Sequence, residues 1–300
     1  MGGDSSSAMT ERFRRRWLLL VFSTVAVGSS ARASAELVRA LDCYHARRYS
    51  EARSLFHQIS LEKGPDAEIE FYLGRLALWF DEGPKALGHL ERAVAIAPDD
   101  ARIQNALGDA YGLAAQQANL VMKLSWARKC RAAYQRAVVH QPRNVAYRWS
   151  LFGFYYLAPR LAGGGLEKAR AQADEIARLD DMSGRIARAT LDLGEEKFDQ
   201  AFSEFEIILK DNPKDFMALY QIGRCSALSG RQIERGLRAL QRCLELAPPE
   251  GENAPTLACV QHRLGNLLEK KGDQIGAAQA YAAALRLHPD FRATKLALTQ

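Results

Sequence analysis

Residues 264–289, LGNLLEKKGDQIGAAQAYAAALRLHP, repeat the spacing of residues 73–98, LGRLALWFDEGPKALGHLERAVAIAP. In each stretch a Leu-Gly pair is followed by eleven residues, an alanine, a large apolar residue, a second alanine and a closing proline. The small residues predict two helices that cross at close range, and the proline predicts the end of the second helix because it cannot continue one. The matched positions are Leu73, Gly74, Ala86, Leu90, Ala93 and Pro98, then Leu264, Gly265, Ala277, Tyr281, Ala284 and Pro289.

A third copy of the pattern lies between these two. Its matched positions are Leu107, Gly108, Tyr111, Cys130, Tyr134, Ala137 and Pro142. The pattern resembles the tetratricopeptide repeat, a helix–turn–helix unit of about 34 residues with the signature L-G-x2-Y, A-x3-F and a final proline. The resemblance implies an all-α chain in which each helix pair buries its apolar face against its neighbours.

The chain from residue 36 onward reads as seven such units and one further helix. Two units carry insertions: one within residues 112–129, which we expect to lengthen both helices of its pair, and one in the turn that holds Gly163–Gly165. Residues 291–300 predict a helix that caps the last unit. We therefore predict an α-solenoid of about seven antiparallel helix pairs with a C-terminal capping helix, forming a single cooperative domain over residues 36–300.

Residues 1–35 predict a secretory signal peptide. Arginines at 12, 14, 15 and 16 form a basic start, Trp17 to Val27 form a short apolar stretch, and Ala33-Ser34-Ala35 offers a cleavage site. This stretch is shorter than the ~20 residues that a spanning helix needs, although an uncleaved anchor is the alternative. We expect an exported protein, periplasmic or secreted after cleavage near Ala35, with no stable membrane span in the mature chain.

Charge argues against a nucleic-acid partner. The formal net charge is +6, but five arginines against Asp4 and Glu11 place half of that surplus in residues 1–35. The other basic residues are dispersed among acidic ones, which is typical of a solvated surface. Residues 36–300 therefore carry only a small net positive charge with which to bind a phosphate backbone, so we expect no nucleic-acid binding.

The sequence contains five cysteines. Cys130 and Cys243 take small-residue positions of the repeat, which favours buried thiols that serve in packing. Cys225 and Cys259 fall on the first helices of adjacent units and form the one plausible disulfide, and the sequence leaves open whether they pair.

No pattern in the sequence predicts catalysis, a metal or a cofactor. No G-K-[ST] follows Gly163–Gly165, so this triplet is interpreted as a turn rather than a phosphate cradle, and no Gly-x-Ser-x-Gly occurs. The histidines share no metal-ligand spacing and are interpreted as surface or capping residues. They are His45, His57, His89, His140, His262 and His288. The sequence therefore favours a protein that is not an enzyme.

The resemblance implies a partner-binding groove, because repeats of this family present their first helices to extended peptides or partner helices. The implied positions lie two residues before the leucine of Leu-Gly and one after its glycine. They are Phe71, Arg75, Asn105, Asp109, Tyr220, Arg224, His262 and Asn266, joined by Trp149 and Tyr156 of the fourth unit. Aromatic, amide and charged side chains together suit a peptide groove, and packing between repeats is the alternative role of the aromatic residues. One variety of the family binds a chain-terminal carboxylate in this groove, and the acidic side chain of Asp109 does not fit that variety.

The first insertion carries an amphipathic and locally basic segment. Met122, Leu124 and Trp126 alternate with basic residues at 123, 128 and 129. Such a segment predicts the buried seam of a longer helix pair, which we favour, or a docking ridge for a partner or a membrane surface.

The sequence as a whole predicts a non-catalytic scaffold or adaptor for protein–protein interaction in the bacterial cell envelope. Two other functions fit the same features. One is a carrier that binds a polysaccharide or peptidoglycan fragment by stacking on Trp149, Tyr156 and Tyr220. The other is a regulatory subunit of an envelope enzyme.

Overall fold

The computed structural model describes residues 35–249, 254–289 and 291–298, and the predicted signal peptide lies outside these ranges apart from residue 35. All regular structure within them is helical, which confirms the all-α prediction. The helices are α1 (35–45), α2 (Tyr49–Lys63), α3 (Ala67–Trp79), α4 (Gly83–Ile96), α5 (Ala101–Gln117), α6 (Leu120–His140), α7 (Val145–Leu157), α8 (Leu166–Leu179), α9 (Asp181–Gly194), α10 (Phe198–Asp211), α11 (Phe216–Ser229), α12 (Ile233–Leu244), α13 (Leu257–Lys271), α14 (Gln274–Leu287) and α15 (Arg292–Ala297).

The described helices form seven consecutive pairs followed by α15. The pairs α3–α4, α7–α8, α11–α12 and α13–α14 are the most closely packed. In the first three of them, the second helix also contacts the first helix of the next pair. Helix α15 packs on α14. The prediction of an α-solenoid of about seven helix pairs with a C-terminal capping helix is confirmed.

The two helices of a pair start in different ways in several of the units. First helices begin at a polar cap: Asp66 accepts hydrogen bonds from the backbone amides of Glu68 and Ile69 at the start of α3, and Thr256 caps α13 in the same manner. Several second helices follow a residue with positive φ, and Asp81 before α4 has φ of 59°. The amide of the next residue, Glu82, then donates to the Ala77 carbonyl at 2.9 Å, which closes the end of α3.

A close approach between the two helices of a pair recurs at the glycine of Leu-Gly. A Cβ atom on Gly74 would lie 2.5 Å from Leu90 Cγ, and one on Gly265 would lie 2.3 Å from Tyr281 Cε1. Leu90 and Tyr281 are buried, so neither has free space into which to retreat. The expectation that these glycines allow the second helix to approach is confirmed.

The insertion within residues 112–129 lengthens both helices of its pair, as predicted. Helix α5 has 17 residues and α6 has 21. Trp126 stacks on Tyr111 of α5 with ring centroids 5.7 Å apart, as the buried-seam interpretation expects. Val121 and Met122 are 80% and 45% exposed, so the seam does not extend to the start of α6. No described helix, α6 included, is both long and apolar enough to cross a membrane.

The second insertion forms the predicted turn between α7 and α8. A short 3-10 helix, Arg160–Ala162, leads into Gly163 with φ of 93° and Gly165 with φ of 143°. The Gly165 amide donates to the Tyr155 carbonyl at 2.8 Å, so the turn is tied back to the end of α7.

The chain divides into two compact units, and each contains its own apolar core. The N-terminal unit ends at Trp126 and the C-terminal unit begins at Ala127. Phe56, Leu76 and Leu90 lie in the core of the first unit, and Phe205 and Leu240 in the core of the second. The assignment of residues 36–300 to a single cooperative domain stays a prediction.

No disulfide joins any of the five cysteines, all of which lie in the described part of the chain, so Cys225 and Cys259 are not paired with each other. Cys225 and Cys243 are fully buried. Burial raises the pKa of each of these two thiols to about 12, which keeps them protonated at neutral pH. The interpretation of Cys243 as a small core residue is confirmed.

Candidate functional site

The predicted site residues of the N-terminal unit lie on the adjacent first helices α3 and α5. Phe71 and Asn105 are only 7% and 6% exposed, so both are largely covered by the fold. The Arg102 guanidinium lies over the Phe71 ring, 5.4 Å from its centroid. These two predicted positions therefore contribute mainly to packing between repeats.

Arg75 and Asp109 form an ion pair across the same two helices. Arg75 Nη1 lies 3.0 Å from Asp109 Oδ2, and the side chains are 13% and 29% exposed. Each residue follows the glycine of its Leu-Gly pair, so the repeat brings these equivalent positions side by side. The N-terminal unit therefore neutralises its own charge at the predicted site.

In the C-terminal unit, α11 contacts both α9 and α13. Tyr220 and Arg224 lie one turn apart on α11, where both are half-buried. Burial raises the pKa of Tyr220, and the neighbouring Arg263 of α13 opposes this shift through an interaction with the phenol. Burial and Arg263 together lower the pKa of Arg224, and the Tyr156 phenol acts in the opposite direction. We call Tyr156, Tyr220, Arg224 and Arg263 the arginine–tyrosine cluster.

Amide groups hold the two guanidinium groups of this cluster. Arg224 Nη1 donates to Gln221 Oε1 at 3.2 Å. Arg263 Nη1 donates to Asn266 Oδ1 at 3.1 Å. Arg263 was not among the predicted positions because it lies directly before the leucine of Leu-Gly, at a place where the pattern assigns no contact to a partner.

The two aromatic residues predicted on α7 already contact other rings. Trp149 meets Phe152 edge to face with centroids 5.0 Å apart and packs against the core of the C-terminal unit. Tyr156 stacks on Phe152 with centroids 6.0 Å apart. It also lies against Gly194, where an added Cβ would come within 2.6 Å of its ring. Trp149 therefore serves in packing, and Tyr156 is held in a fixed orientation.

His262 is turned into the end of the C-terminal unit. It is 9% exposed, and its Nδ1 lies 3.1 Å from the Thr294 hydroxyl of α15. The rings of Tyr281 and Phe291 flank it. Burial lowers the pKa of His262 to about 4, so the ring is neutral at pH 7. The interpretation of the histidines as surface or capping groups is therefore wrong for His262, because α15 covers it.

Asn266 is engaged within the last helix pair. Its Nδ2 donates to the Tyr281 hydroxyl at 2.9 Å, and that hydroxyl donates to Glu269 Oε2 at 2.7 Å. The Asn266 oxygen accepts from Arg263. Asn266 therefore links the arginine–tyrosine cluster to the pair α13–α14.

A second polar cluster, which spacing alone did not predict, lies on the N-terminal unit. His89 Nδ1 and Arg92 Nη2 lie 2.7 and 2.9 Å from Oε2 of the buried Glu70. The His57 ring is 6.0 Å from that of His89, and burial together with His89 lowers the pKa of His57. These residues come from three successive helices, which explains why no sequence spacing indicated them. Over the described ranges, no three His, Cys, Asp or Glu side chains are arranged to hold a metal ion.

Comparisons with known proteins agree with this architecture. Residues 44–110 match a family model described as a tetratricopeptide repeat. No curated protein matches the chain by sequence.

Solved structures share the fold at low sequence identity. A tetratricopeptide repeat protein from Parabacteroides merdae ATCC 43184 aligns over 89% of this chain and 97% of its own, with a TM-score of 0.60 and 13% identity. A thermophilic TPR protein from Thermus thermophilus aligns over 71% of this chain and 99% of its own, with a TM-score of 0.52 and 21% identity. Residues 44–110 therefore match the tetratricopeptide repeat by sequence, and most of the chain shares the fold of these two repeat proteins.

Proposed function

We propose that this protein is a non-catalytic scaffold or adaptor that binds a protein partner, as an extended peptide or a helix, on the first helices of its C-terminal unit. The arginine–tyrosine cluster is the observation that carries this proposal. Tyr220 and Arg224 of α11 occupy the positions that the family resemblance assigns to partner contact, and Arg263 of α13 lies beside them.

The chemistry of this cluster suits a protein interface. Tyrosine and arginine are over-represented among the residues that dominate binding energy at such interfaces. Gln221 and Asn266 each hold one guanidinium group by a hydrogen bond. A side chain that is already ordered loses less conformational entropy on binding, so this arrangement favours affinity.

The packing of the aromatic residues favours a protein over a glycan. One face of the Tyr156 ring is stacked on Phe152, and Trp149 is packed against the core. Sugar binding by stacking needs open ring faces, and these two residues offer fewer than the sequence suggested. The proposed site of action, the bacterial cell envelope, rests on the signal peptide predicted in residues 1–35.

An affinity capture experiment tests this proposal. Mature protein, residues 36–300, would be immobilised and exposed to cross-linked envelope extract, and retained proteins would be quantified by mass spectrometry. We expect one dominant protein, whose recovery falls at least tenfold in a Tyr220→Ala/Arg224→Glu variant because hot-spot substitutions of this kind each cost about 2 kcal/mol or more.

Arg238→Glu provides the matched control, because Arg238 is exposed on α12, the second helix of the same pair. This control should retain the partner as the unaltered protein does, and circular dichroism should show that both variants are folded. Equal recovery from all three proteins would refute the proposed site. If no protein is enriched, the scaffold function fails and saturable glycan binding becomes the assay of choice.

A further inference from the structure

The two units differ in charge at one equivalent repeat position. Arg75 follows Gly74 in the N-terminal unit, and Asp109 neutralises it at 3.0 Å. Arg224 follows Gly223 in the C-terminal unit and occupies the same position. Among the described residues, the acceptor for Arg224 is the neutral amide oxygen of Gln221. The fold therefore supplies a counter-charge at this position in one unit and an amide in the other.

Arg263 adds a second positive charge beside Arg224. It donates to the Asn266 amide oxygen, and no ion pair joins it to a carboxylate within the described parts of the chain. The helices that carry these residues, α11 and α13, pack against each other, and the positive charge of Arg263 contributes to the lowered pKa of Arg224. Two half-buried like charges without a counter-ion are unfavourable, and an anion bound between them would relieve the repulsion.

We propose that Arg224 and Arg263 bind the side-chain carboxylates of an acidic segment in the partner protein. Arginine is well suited to this role because its planar guanidinium engages a carboxylate through two parallel hydrogen bonds. An acidic segment supplies one carboxylate for each guanidinium, whereas a chain end that lacks acidic side chains supplies only one for the two. This inference rests on the proposed function and names the chemistry of the partner.

The tyrosines of the cluster define the surroundings of these charges. The Tyr220 phenol interacts with Arg263, and Tyr156 interacts electrostatically with Arg224. Arg224 and Arg263 are both half-buried, so part of the solvent is excluded from them. Because charge interactions strengthen as water is excluded, a carboxylate bound here gains more than one at a fully exposed arginine.

Titration of the whole protein with small anions tests the inference without a partner. The chain would be labelled with ¹⁵N-arginine, and the Nε–Hε resonances followed at constant ionic strength during addition of glutarate, the simplest dicarboxylate of suitable chemistry. We expect saturable shifts of Arg224 and Arg263, while Arg75, which Asp109 holds, and the exposed Arg238 shift little. In Arg224→Gln, the glutarate affinity reported by Arg263 should fall at least tenfold, since hydrogen bonds to charged groups are worth about 1.5–3 kcal/mol.

Two N-acetylated peptides distinguish the sources of carboxylate. Acetyl-Ala-Glu-Ala-Glu-Ala-amide carries only side-chain carboxylates, and acetyl-(Ala)₅ with a free C-terminus carries only the terminal one. We expect the first to bind at least tenfold more tightly. Equal binding of the two peptides, preference for the second, saturation by inorganic phosphate but not glutarate, or uniform linear shifts of all arginines would each overturn the inference.

A conservative variant guards against loss of structure. Arg224→Lys keeps the charge but removes the paired hydrogen bonds, so it should weaken glutarate binding while circular dichroism stays unchanged. If Arg224→Lys binds glutarate as tightly as the unaltered protein, paired recognition is wrong. A protein that captures its partner through the cluster but shows no carboxylate binding would keep the proposed function and refute only this inference.

Discussion

Replacing Gly74 by alanine should lower the free energy of unfolding of the N-terminal unit by about 2 kcal/mol, because a single methyl group overpacks a filled interior by about this amount. The added Cβ would lie 2.5 Å from Leu90 Cγ, and Leu90 is fully buried. Helices α3 and α4 must then separate or Leu90 must adopt a strained rotamer, and either change weakens the pair.

The same substitution at Gly88 should have the opposite effect. Gly88 lies on α4 of the same pair, and an added Cβ would meet only the Arg92 side chain at 3.5 Å, an ordinary contact. Alanine is favoured over glycine within a helix by about 0.5–1 kcal/mol. Urea denaturation followed by circular dichroism would measure both variants. Similar unfolding midpoints for Gly74→Ala and Gly88→Ala would contradict the close approach of α3 and α4.

Acidification from pH 7 to pH 5 should destabilise the C-terminal unit through His262, by up to about 2 kcal/mol. Burial lowers the folded-state pKa of this ring to about 4, below the ordinary value of 6.5. Between pH 6.5 and pH 4, the histidine ring therefore binds a proton more readily in the unfolded chain than in the folded protein. The contribution of His262 is complete above pH 6.5 and is lost as the pH falls towards 4.

His262→Gln provides the comparison that isolates this effect. Glutamine does not titrate, and its amide can still approach the Thr294 hydroxyl that lies 3.1 Å from the histidine ring. His57, whose pKa is also lowered, is present in both proteins and cancels. The difference in stability between pH 7 and pH 5, measured by urea denaturation, should be smaller in the variant. An identical pH dependence would show that the ring is not held neutral by burial.

The sequence predicted the helix pairs because their packing depends on local spacing. The small residues around Gly74 and Gly265 lie where the two helices of a pair touch. Because these helices are close in sequence, their contact positions recur at a fixed spacing along the chain. The turns within pairs were harder to predict. Asp81 and Glu196 take positive φ values, and neither residue type signals this conformation as glycine does. The hydrogen bonds that close the preceding helices stabilise these turns.

The site could be predicted only in part because its contacts join helices from different repeats. Spacing identified Tyr220 and Arg224 on α11, but Arg263 approaches them from α13 at a position that the repeat pattern does not mark. His262 was predicted to face a partner, and α15 covers it instead. The position of a residue within its repeat determines the direction of its side chain. The residues that this side chain contacts depend on how the next helix pair packs against it.

Hydrogen–deuterium exchange of the complex with its captured partner would test the central claim most directly. Peptides covering α11 and α13 should exchange more slowly when the partner is bound, because contact at the arginine–tyrosine cluster stabilises these helices. Peptides covering α12 and α14 should exchange at unchanged rates. Slower exchange confined to α12 and α14, or to the N-terminal unit, would contradict partner binding on the first helices of the C-terminal unit.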